Sequence, residues 1–255
     1  MIGCIIQART GSFRLPGKVL MKLDNELTVL EYVVNQLSFC KLIDKIIIAT
    51  TNFEEDDSIE QLAKKLQIEY FRGNSEDVLD RYYNCAKKFG VDNILRITSD
   101  CPLIDPEIVD KVIEKYLSKE YDYVSNTGVR TFPIGTDAEI FSFNLLKKSW
   151  EDASLPSERE HVTPYIRNKK IECRVGNLEN TTKQDHFRLT LDRIEDFKLI
   201  QKIVKKISKR PILIKDVLDL LSKHPELIKI NENIPQNEGM LRSLKIDKEV
   251  FGKGD

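Results

Sequence analysis

The chain has 255 residues, of which 41% are hydrophobic and 32% charged, and its 40 Lys and Arg nearly balance its 41 Asp and Glu. This composition is typical of a globular protein and excludes a disordered one, while the balanced charge argues against a dedicated nucleic-acid-binding protein. No apolar run approaches the roughly 18–20 residues of a membrane-spanning helix, and Arg9 ends the apolar N-terminal run too early for a signal peptide. We therefore expect a cytoplasmic protein that binds neither membranes nor nucleic acids.

Strand-like and helix-like segments alternate along the first half of the chain. Short apolar runs predict strands at residues 2–7, 45–50, 68–71 and 93–98. Apolar residues at helical spacing predict the helices between these strands. Four polar residues mark helix starts, namely Thr28 with Glu31 as a capping box, Ser75 and Asp105. This alternation predicts an α/β fold with a mainly parallel, twisted sheet that carries helices on both faces.

The pattern changes after about residue 121. Residues 121–143, 171–175 and 187–192 predict further strands, and residues 158–168 and 194–207 predict helices. The chain has no low-complexity linker and no repeat of fixed period. We therefore expect a single domain over residues 1–255 with a distinct, strand-rich subregion at about 132–174.

The loop that follows the first predicted strand is rich in cations and glycines. Ligands of open parallel sheets bind beyond the carboxyl ends of the strands, and this loop offers Arg9, Arg14 and Lys18 as donors for phosphate oxygens. The spacing from Gly11 to Gly17 does not fit a Walker A loop, and no GxGxxG fingerprint is present. On the loop alone, a solvated charged turn remains an equal alternative to a triphosphate site.

Two aspartates each follow a predicted strand. Asp100 comes after residues 93–98, and Asp192 comes after residues 189–191. Carboxylates that converge on one oxygen-rich site suit Mg²⁺, so the pair predicts a magnesium site. The alternative for each residue is a helix cap.

For several other polar residues, the sequence is compatible with either a ligand-binding role or a purely structural one. Asp137 and Glu139 alternate along a predicted strand and therefore point the same way, either to bind hydroxyls or to form a solvated face. His161 and Tyr165 are expected to share one helix face, where they would meet a ligand or form a capped surface. Arg81 is either a nucleotide ligand or an ordinary partner of a carboxylate one helical turn away.

Six segments of the sequence together resemble the sugar cytidylyltransferases, the group of CMP-Kdo synthetases and acylneuraminate cytidylyltransferases. The similarity is greatest to the branch of spore-coat polysaccharide biosynthesis protein F. The segments are, in order, IIQARTGSFRLPGKVL, RGNSEDVLDRY, RITSDCPLIDP, GTDAEIFS, EREHVTPYI and LTLDRIEDF. The resemblance implies a Rossmann-like, GT-A-like nucleotidyltransferase that transfers CMP from CTP to an acidic sugar, such as a nonulosonic acid or Kdo, and releases pyrophosphate.

The resemblance also implies roles for individual residues. The implied nucleotide-binding residues are Gln7, Ala8, Arg9, Gly11, Ser12, Arg14, Lys18, Arg81 and Ser99. The implied catalytic residues are Arg9, Arg14, Lys18 and Asp100, with Asp100 and Asp192 as ligands of Mg²⁺. The implied acceptor-binding residues are Asp137, Glu139, Arg159, His161 and Tyr165. The subregion at 132–174 is expected to form a homodimer.

Two alternatives to this function stay open from the sequence. One is a GT-A-like glycosyltransferase, although the DxD motif of such enzymes is absent at Ser99-Asp100-Cys101. The other is a nucleotide-binding subunit of a polysaccharide-assembly complex that has no catalytic activity. Release of pyrophosphate from CTP would distinguish the predicted transferase from both.

Overall fold

The computed structural model describes residues 1–252. Its strands are β1 (Ile2–Gln7), β2 (Lys45–Thr51), β3 (Glu69–Gly73), β4 (Asn93–Thr98), β5 (Tyr123–Ser125), β6 (Glu139–Ser142) and β7 (Val175–Asn177). Its α-helices are α1 (Val29–Leu37), α2 (Asp57–Lys65), α3 (Val78–Phe89), α4 (Pro106–Leu117), α5 (Phe143–Asp152), α6 (Pro156–His161), α7 (Pro164–Arg167), α8 (Ile194–Lys206), α9 (Ile214–Lys223) and α10 (Glu238–Phe251). Within the described residues, no helix is long and apolar enough to cross a membrane.

The strands form one seven-stranded sheet in the order β3-β2-β1-β4-β6-β5-β7. The pairs β3-β2, β2-β1 and β1-β4 are parallel, and β6 runs antiparallel to both of its neighbours. The prediction of a mainly parallel sheet is therefore confirmed. The chain moves outward from β1 to β3 and then returns to β4 on the other side of β1. The loops after β1 and β4 consequently diverge and open a crevice at the carboxyl ends of these strands.

Helices cover both faces of the sheet, as the apolar spacing predicted. On one face, α1, α2 and α4 contribute Leu30, Ile59 and Val112 to a core that includes Ile6 and Ile48. On the other face, α3 and α5 bury a second apolar cluster against Ile5, Ile47 and neighbouring strand residues. A third cluster lies between α8, α9 and the segment that contains Leu189 and Leu191. Burial of these side chains is the main force that fixes the layers.

Helix starts follow the predicted caps with one exception. Thr28 and Glu31 form the predicted capping box of α1, and Asp105 accepts hydrogen bonds from the first turn of α4. The expected cap at Ser75 is wrong, because the carboxylate of Asp77 accepts the Asp80 N–H at 2.9 Å and starts α3 two residues later.

The second half of the chain departs from the predicted elements in three places. The helix expected at 158–168 is split into α6 and α7, because Val162 adopts a φ of 70° and interrupts the helical path. The strand expected at 171–175 begins only at Val175, where β7 comes into register with β5. Residues 187–192 form no strand beyond a single bridge from Arg188 to Ile134. The two strand outcomes depend on distant pairing partners rather than on local spacing.

Candidate active site

The loop after β1 brings Lys18 back over the crevice. The Gly17 N–H donates to the Thr10 carbonyl at 2.9 Å and closes the loop, and the φ of 69° at Gly17 is one that glycine adopts without strain. Thr10 is itself held by Asp56, which accepts its N–H at 2.7 Å. Lys18 then begins a short 3-10 helix with its side chain buried.

Lys18, Asp100 and Asp192, which we call the Lys18 cluster, meet at the carboxyl end of the parallel strands. The ammonium of Lys18 donates to Asp100 Oδ2 at 3.0 Å, to Asp192 Oδ1 at 2.9 Å and to the Leu191 carbonyl at 2.7 Å. The Leu191 N–H donates to the Asp100 carbonyl at 2.8 Å. This backbone bond places the second aspartate beside the first, although residues 189–191 form no strand. The two aspartates thus lie as close as the strand-end argument predicted.

Two arginines add positive charge around Asp192. Arg14 donates to Asp192 Oδ1 at 2.5 Å, and Arg188 donates to Asp192 Oδ2 at 3.1 Å and to Asp196 Oδ1 at 2.9 Å. Burial on its own would raise the pKa of Asp192, but Lys18 and Arg14 outweigh it and hold this pKa well below its usual range. Burial would lower the pKa of Lys18, yet the two aspartates raise it above its ordinary value. Lys18 and Asp192 therefore form a charged pair near neutral pH.

Arg9 and the start of the loop lie apart from the Lys18 cluster. Arg9 forms an ion pair with Glu160 of α6 at 3.0 Å. A Cβ at Gly11 would stand 3.0 Å from Glu55 Oε1, so the backbone approaches its neighbour closely there. The hydroxyl of Ser12 accepts the Leu15 N–H at 3.3 Å. Of the three loop cations, the structure brings Arg14 and Lys18 to the aspartates but not Arg9.

Arg81 is inside the protein rather than on a polar helix surface. It is 1% exposed, its Nη1 donates to the Asn74 carbonyl at 2.8 Å, and its buried Nε has no hydrogen-bond partner among the described residues. Burial lowers the pKa of its guanidinium. The alternative of a surface pair one turn away is wrong, because Asp77 instead caps α3 and binds Arg159, whose Nε donates to it at 2.8 Å.

The remaining residues expected near the nucleotide lie at the ends of β1 and β4. The side-chain oxygen of Gln7 accepts from Arg96 at 3.1 Å. Ala8 and Ser99 are buried, and the Ser99 N–H donates to the Gln7 carbonyl at 3.2 Å. These three residues lie where the two neighbouring strands end.

A cavity of about 650 Å³ opens beside the Lys18 cluster. Asp100 and Asp192 form one wall, and Asp137 and Glu139 both face it, as their alternation predicted, although Asp137 precedes β6 rather than lying in a strand. The guanidinium of Arg130 donates two hydrogen bonds to the carboxylate of Asp137, at 2.6 and 2.7 Å. These side chains give the cavity an alternating pattern of positive and negative charge.

Glu139 is almost completely buried at the base of this cavity. Arg96 donates to it at 2.5 Å, Thr163 donates at 2.8 Å, and the Tyr123 hydroxyl also donates. Burial would raise the pKa of Glu139, but Arg96 outweighs it and lowers this pKa below its ordinary value.

The three residues expected on one acceptor-binding helix separate in the structure. His161 lines the cavity and contacts the Ser243 hydroxyl at 3.0 Å. Tyr165 packs against the apolar cluster under α3 and α5, because the break at Val162 rotates α7 away from the line of α6. Arg159 binds Asp77 and the Trp150 carbonyl, the latter at 2.7 Å. The prediction that His161 and Tyr165 share a helix face is therefore wrong.

Two parts of the cavity wall were not predicted. One consists of arginines, namely Arg130, Arg167 and Arg188, which carry no motif of their own. The other is the segment 235–241 at the start of α10, where Glu238 binds Arg193 at 2.8 Å and approaches Arg14 at 4.0 Å. Arg188 lies four residues before Asp192, which would place both on one face of the predicted strand and was the available signal for it. The C-terminal segment offered none, because neither its own residues nor the lysine-rich sequence around it carries a motif.

The fold and the charged crevice at its strand ends together define an α/β nucleotidyltransferase. The sequence model of the family described as "Cytidylyltransferase" matches residues 3–231 of this chain. The chain therefore belongs to the cytidylyltransferase family, as the six segments predicted. This membership favours a nucleotidyltransferase over a glycosyltransferase or a subunit without catalytic activity.

Three known proteins illustrate the similarity. The spore coat polysaccharide biosynthesis protein SpsF of Bacillus subtilis is 36% identical over 229 residues, which cover 87% of this chain and 94% of that protein. A cytidylyltransferase structure from Leptospira borgpetersenii superposes with a TM-score of 0.86 at 33% identity, covering 92% of this chain and 98% of that one. The 3-deoxy-manno-octulosonate cytidylyltransferase of Pelobacter propionicus is 31% identical over 118 residues, 46% of this chain and 44% of that protein.

Proposed function

We propose that this enzyme transfers CMP from CTP to an acidic sugar, a 2-keto-3-deoxy acid such as a nonulosonic acid or Kdo, for a surface polysaccharide or glycan. The anomeric hydroxyl oxygen of the sugar attacks the α-phosphorus of CTP. The bond from this phosphorus to the bridging oxygen breaks, pyrophosphate leaves, and the hydroxyl proton is released. The names of the Bacillus and Pelobacter relatives support a sugar acceptor and a role in polysaccharide synthesis.

The observation that carries the proposal is the position of the Lys18 ammonium, which two aspartates share at 3.0 and 2.9 Å beside the crevice. Negative charge grows on the departing pyrophosphate during such a transfer, and cations already held in place stabilise it most effectively. In this proposal Lys18 and Arg14 bind the phosphates, and Arg9 joins them by exchanging Glu160 for a phosphate oxygen. The loop backbone at Gly11 and Ser12 supports the same phosphates.

Mg²⁺ is the proposed cofactor, and Asp100 and Asp192 are its proposed ligands. Their oxygens already converge on one cation, the Lys18 ammonium, so their spacing fits a shared metal ion. Among residues 1–252, no group of three or more His, Cys, Asp or Glu residues is arranged to hold a metal. Two carboxylates suffice for Mg²⁺, which takes its other ligands from phosphates and water. When bound, the ion would neutralise phosphate charge.

The cytidine and the sugar are assigned to opposite sides of the Lys18 cluster. Gln7, Ala8 and Ser99, at the ends of β1 and β4, form the proposed floor for the nucleotide. Arg81, whose buried Nε lacks a partner among the described residues, is its proposed cationic neighbour. The proposed acceptor ligands are the cavity residues Asp137, Glu139 and His161. Arg159 and Tyr165 hold α6 and α7 in place behind them.

The test follows pyrophosphate after the protein is mixed with CTP, Mg²⁺ and a panel of 2-keto-3-deoxy acids. We expect release with at least one acid, and we expect Asp100→Asn and Asp192→Asn each to abolish it. Asp219→Asn is the matched control, because Asp219 is 63% exposed on α9 and pairs with Lys223. Wild-type rates in both site variants would refute the metal assignment, and turnover with neutral sugars alone would refute the acidic acceptor.

The homodimer expected from the subregion at 132–174 is also part of the proposal. A dimer would place the acceptor sides of two copies near each other. Sedimentation at the protein concentration of the assay provides the test, and a monomer there would contradict the proposal.

A further inference from the structure

Arginine is unusually abundant around the cavity, where five arginines contribute to the wall. Four of them are already engaged by carboxylates within the protein. These pairs are Arg14–Asp192 at 2.5 Å, Arg96–Glu139 at 2.5 Å, Arg130–Asp137 at 2.6 Å and Arg188–Asp196 at 2.9 Å. The fifth, Arg167, forms no ion pair with any residue in the part of the chain that the structure describes. It is therefore the cavity arginine that has no carboxylate within ion-pair distance among the described residues.

The position of Arg167 is fixed by its surroundings. It is the last residue of α7, and its N–H donates to the Thr163 carbonyl at 3.0 Å. Thr163 in turn anchors α7 to Glu139, to which its hydroxyl donates at 2.8 Å. The Nε of Arg167 is buried and has no hydrogen-bond partner among residues 1–252. A buried donor without a partner costs free energy, so this guanidinium is better satisfied once a ligand enters.

The chemistry of the neighbours indicates what such a ligand carries. Glu139 attracts the charge of Arg167 without pairing with it, and Arg96, Tyr123 and Thr163 already donate hydrogen bonds to the Glu139 carboxylate. An arginine that faces a cavity without a partner suits an anion, and its planar fork matches a carboxylate with two parallel hydrogen bonds. The phosphate-binding cations come from the loop after β1, whereas Arg167 comes from the acceptor side.

We propose that Arg167 binds the carboxylate of the acceptor sugar and so selects acidic over neutral acceptors. The inference rests on the proposed function and names the residue that sets its specificity. In a 2-keto acid the carboxylate is bonded to the anomeric carbon. An arginine that holds the carboxylate therefore also positions the hydroxyl that attacks the phosphorus. Arg159, the arginine expected for this role from the sequence, is instead occupied by Asp77.

The test compares Arg167→Gln and Arg167→Lys with the wild type. We expect Arg167→Gln to raise the KM for the acidic acceptor about 100-fold, with a smaller change in kcat and an unchanged KM for CTP. Arg167→Lys keeps the positive charge but loses the planar guanidinium fork. Its KM for the acidic acceptor should therefore lie between those of the wild type and Arg167→Gln. Arg174→Gln is the matched control, because Arg174 is 60% exposed and lines a different surface. An unchanged KM for CTP also shows that the variants are folded.

A second measurement does not depend on turnover. Calorimetric titration of Kdo and of N-acetylneuraminate is performed in the presence of CMP, with the C1 methyl ester of each acid as the neutral analogue. We expect the wild type to bind at least one of the free acids more tightly than its methyl ester. In Arg167→Gln the two affinities should be equal. Equal binding of acid by the wild type and Arg167→Gln would overturn the assignment of Arg167, as would a variant that loses CTP affinity instead. Pyrophosphate release by the wild type with neutral sugars alone would refute the acidic acceptor itself.

Discussion

Lys18 joins the two aspartates that come from distant parts of the chain. Its ammonium lies 3.0 Å from Asp100 and 2.9 Å from Asp192, so it bonds to both carboxylates at once, and it is almost completely buried. Without it, Asp100 and Asp192 would repel each other across a partly dry site. Lys18 therefore both assembles the site and supplies its charge.

We expect Lys18→Met to reduce pyrophosphate release about 10²–10³-fold, the loss that typically follows removal of one preorganised donor. Methionine keeps the length and packing of the lysine stem but removes the charge. The rate is measured per folded protein, with folding checked by circular dichroism. Lys22→Met is the control, because Lys22 is exposed four residues further along the chain. A Lys18→Met rate within threefold of the wild type would remove Lys18 from the catalytic set.

His161 makes stability depend on pH. Burial lowers its pKa below the ordinary value of 6.5, and Arg96 acts in the same direction. The unfolded chain therefore binds this proton more readily than the folded protein does. Its contribution to stability is complete above about pH 6.5 and is lost as the pH falls below that value. We expect the free energy of unfolding, measured by urea denaturation, to decline less between pH 7.5 and pH 5 in His161→Gln than in the wild type. The control is His186→Gln at an exposed position, which should show the same decline as the wild type.

At the scale of residues, the sequence predicted those positions whose role follows from local geometry. A residue at the end of a parallel strand must face the crevice, which is why Asp100 was found from spacing. Pairing partners could not be predicted in this way. The partner of Arg159 is Asp77, which lies 82 residues away, and the isolation of Arg167 is a property of the whole cavity.

At the scale of elements, the strands and helices of the first half of the chain were predicted more accurately than those of the second half. A cap such as Thr28 depends on residues within one turn of it, so its signal is complete in the local sequence. The strands β5 and β7 have three residues each, and their bounds are set by the register of the strands beside them. The break between α6 and α7 depends on the conformation of Val162, which an apolar pattern does not show.

Asp105 links two elements that are far apart in the sequence. Its carboxylate caps α4 by accepting the Glu107 N–H at 2.8 Å, and it also accepts the Ile214 N–H at the start of α9 at 2.7 Å. We expect Asp105→Ala to lower the free energy of unfolding by about 2 kcal/mol, because a cap and a buried acceptor are lost together. Urea denaturation measures this change. A change as small as that of exposed Asp219→Ala would contradict the bridging role.

At the scale of the whole molecule, the cavity has walls from both ends of the described chain. Arg14 lies near the beginning, and residues 235–241 lie near the end. The helix α10 is held on α6 by the Ser157 N–H, which donates to Asp247 at 2.9 Å, and by the contact from His161 to Ser243. Glu238 meanwhile occupies Arg193 and lies close to Arg14. The start of this helix thus forms part of the cavity wall and places a carboxylate beside one of the cavity's cations.

We expect a chain that ends at Ile234 to keep its affinity for CTP, or to improve it up to about threefold, while its kcat/KM for the acceptor falls at least tenfold. The first effect follows from the loss of the Glu238 charge beside Arg14, and the second from the loss of a cavity wall. Glu238→Gln in the full chain separates the two, because it removes the charge and keeps the wall. An unchanged kcat/KM for the acceptor in the shortened chain would contradict this role of α10.

The meeting of the two chain ends at one cavity also has a kinetic consequence. Contacts between residues that are remote in sequence form late, because long loops must close before such contacts are made. After dilution from denaturant, the helices of the chain should therefore recover their circular dichroism before enzymatic activity returns. A time course that follows both signals in parallel would reveal the delay, and simultaneous recovery would show that the cavity assembles as early as its helices.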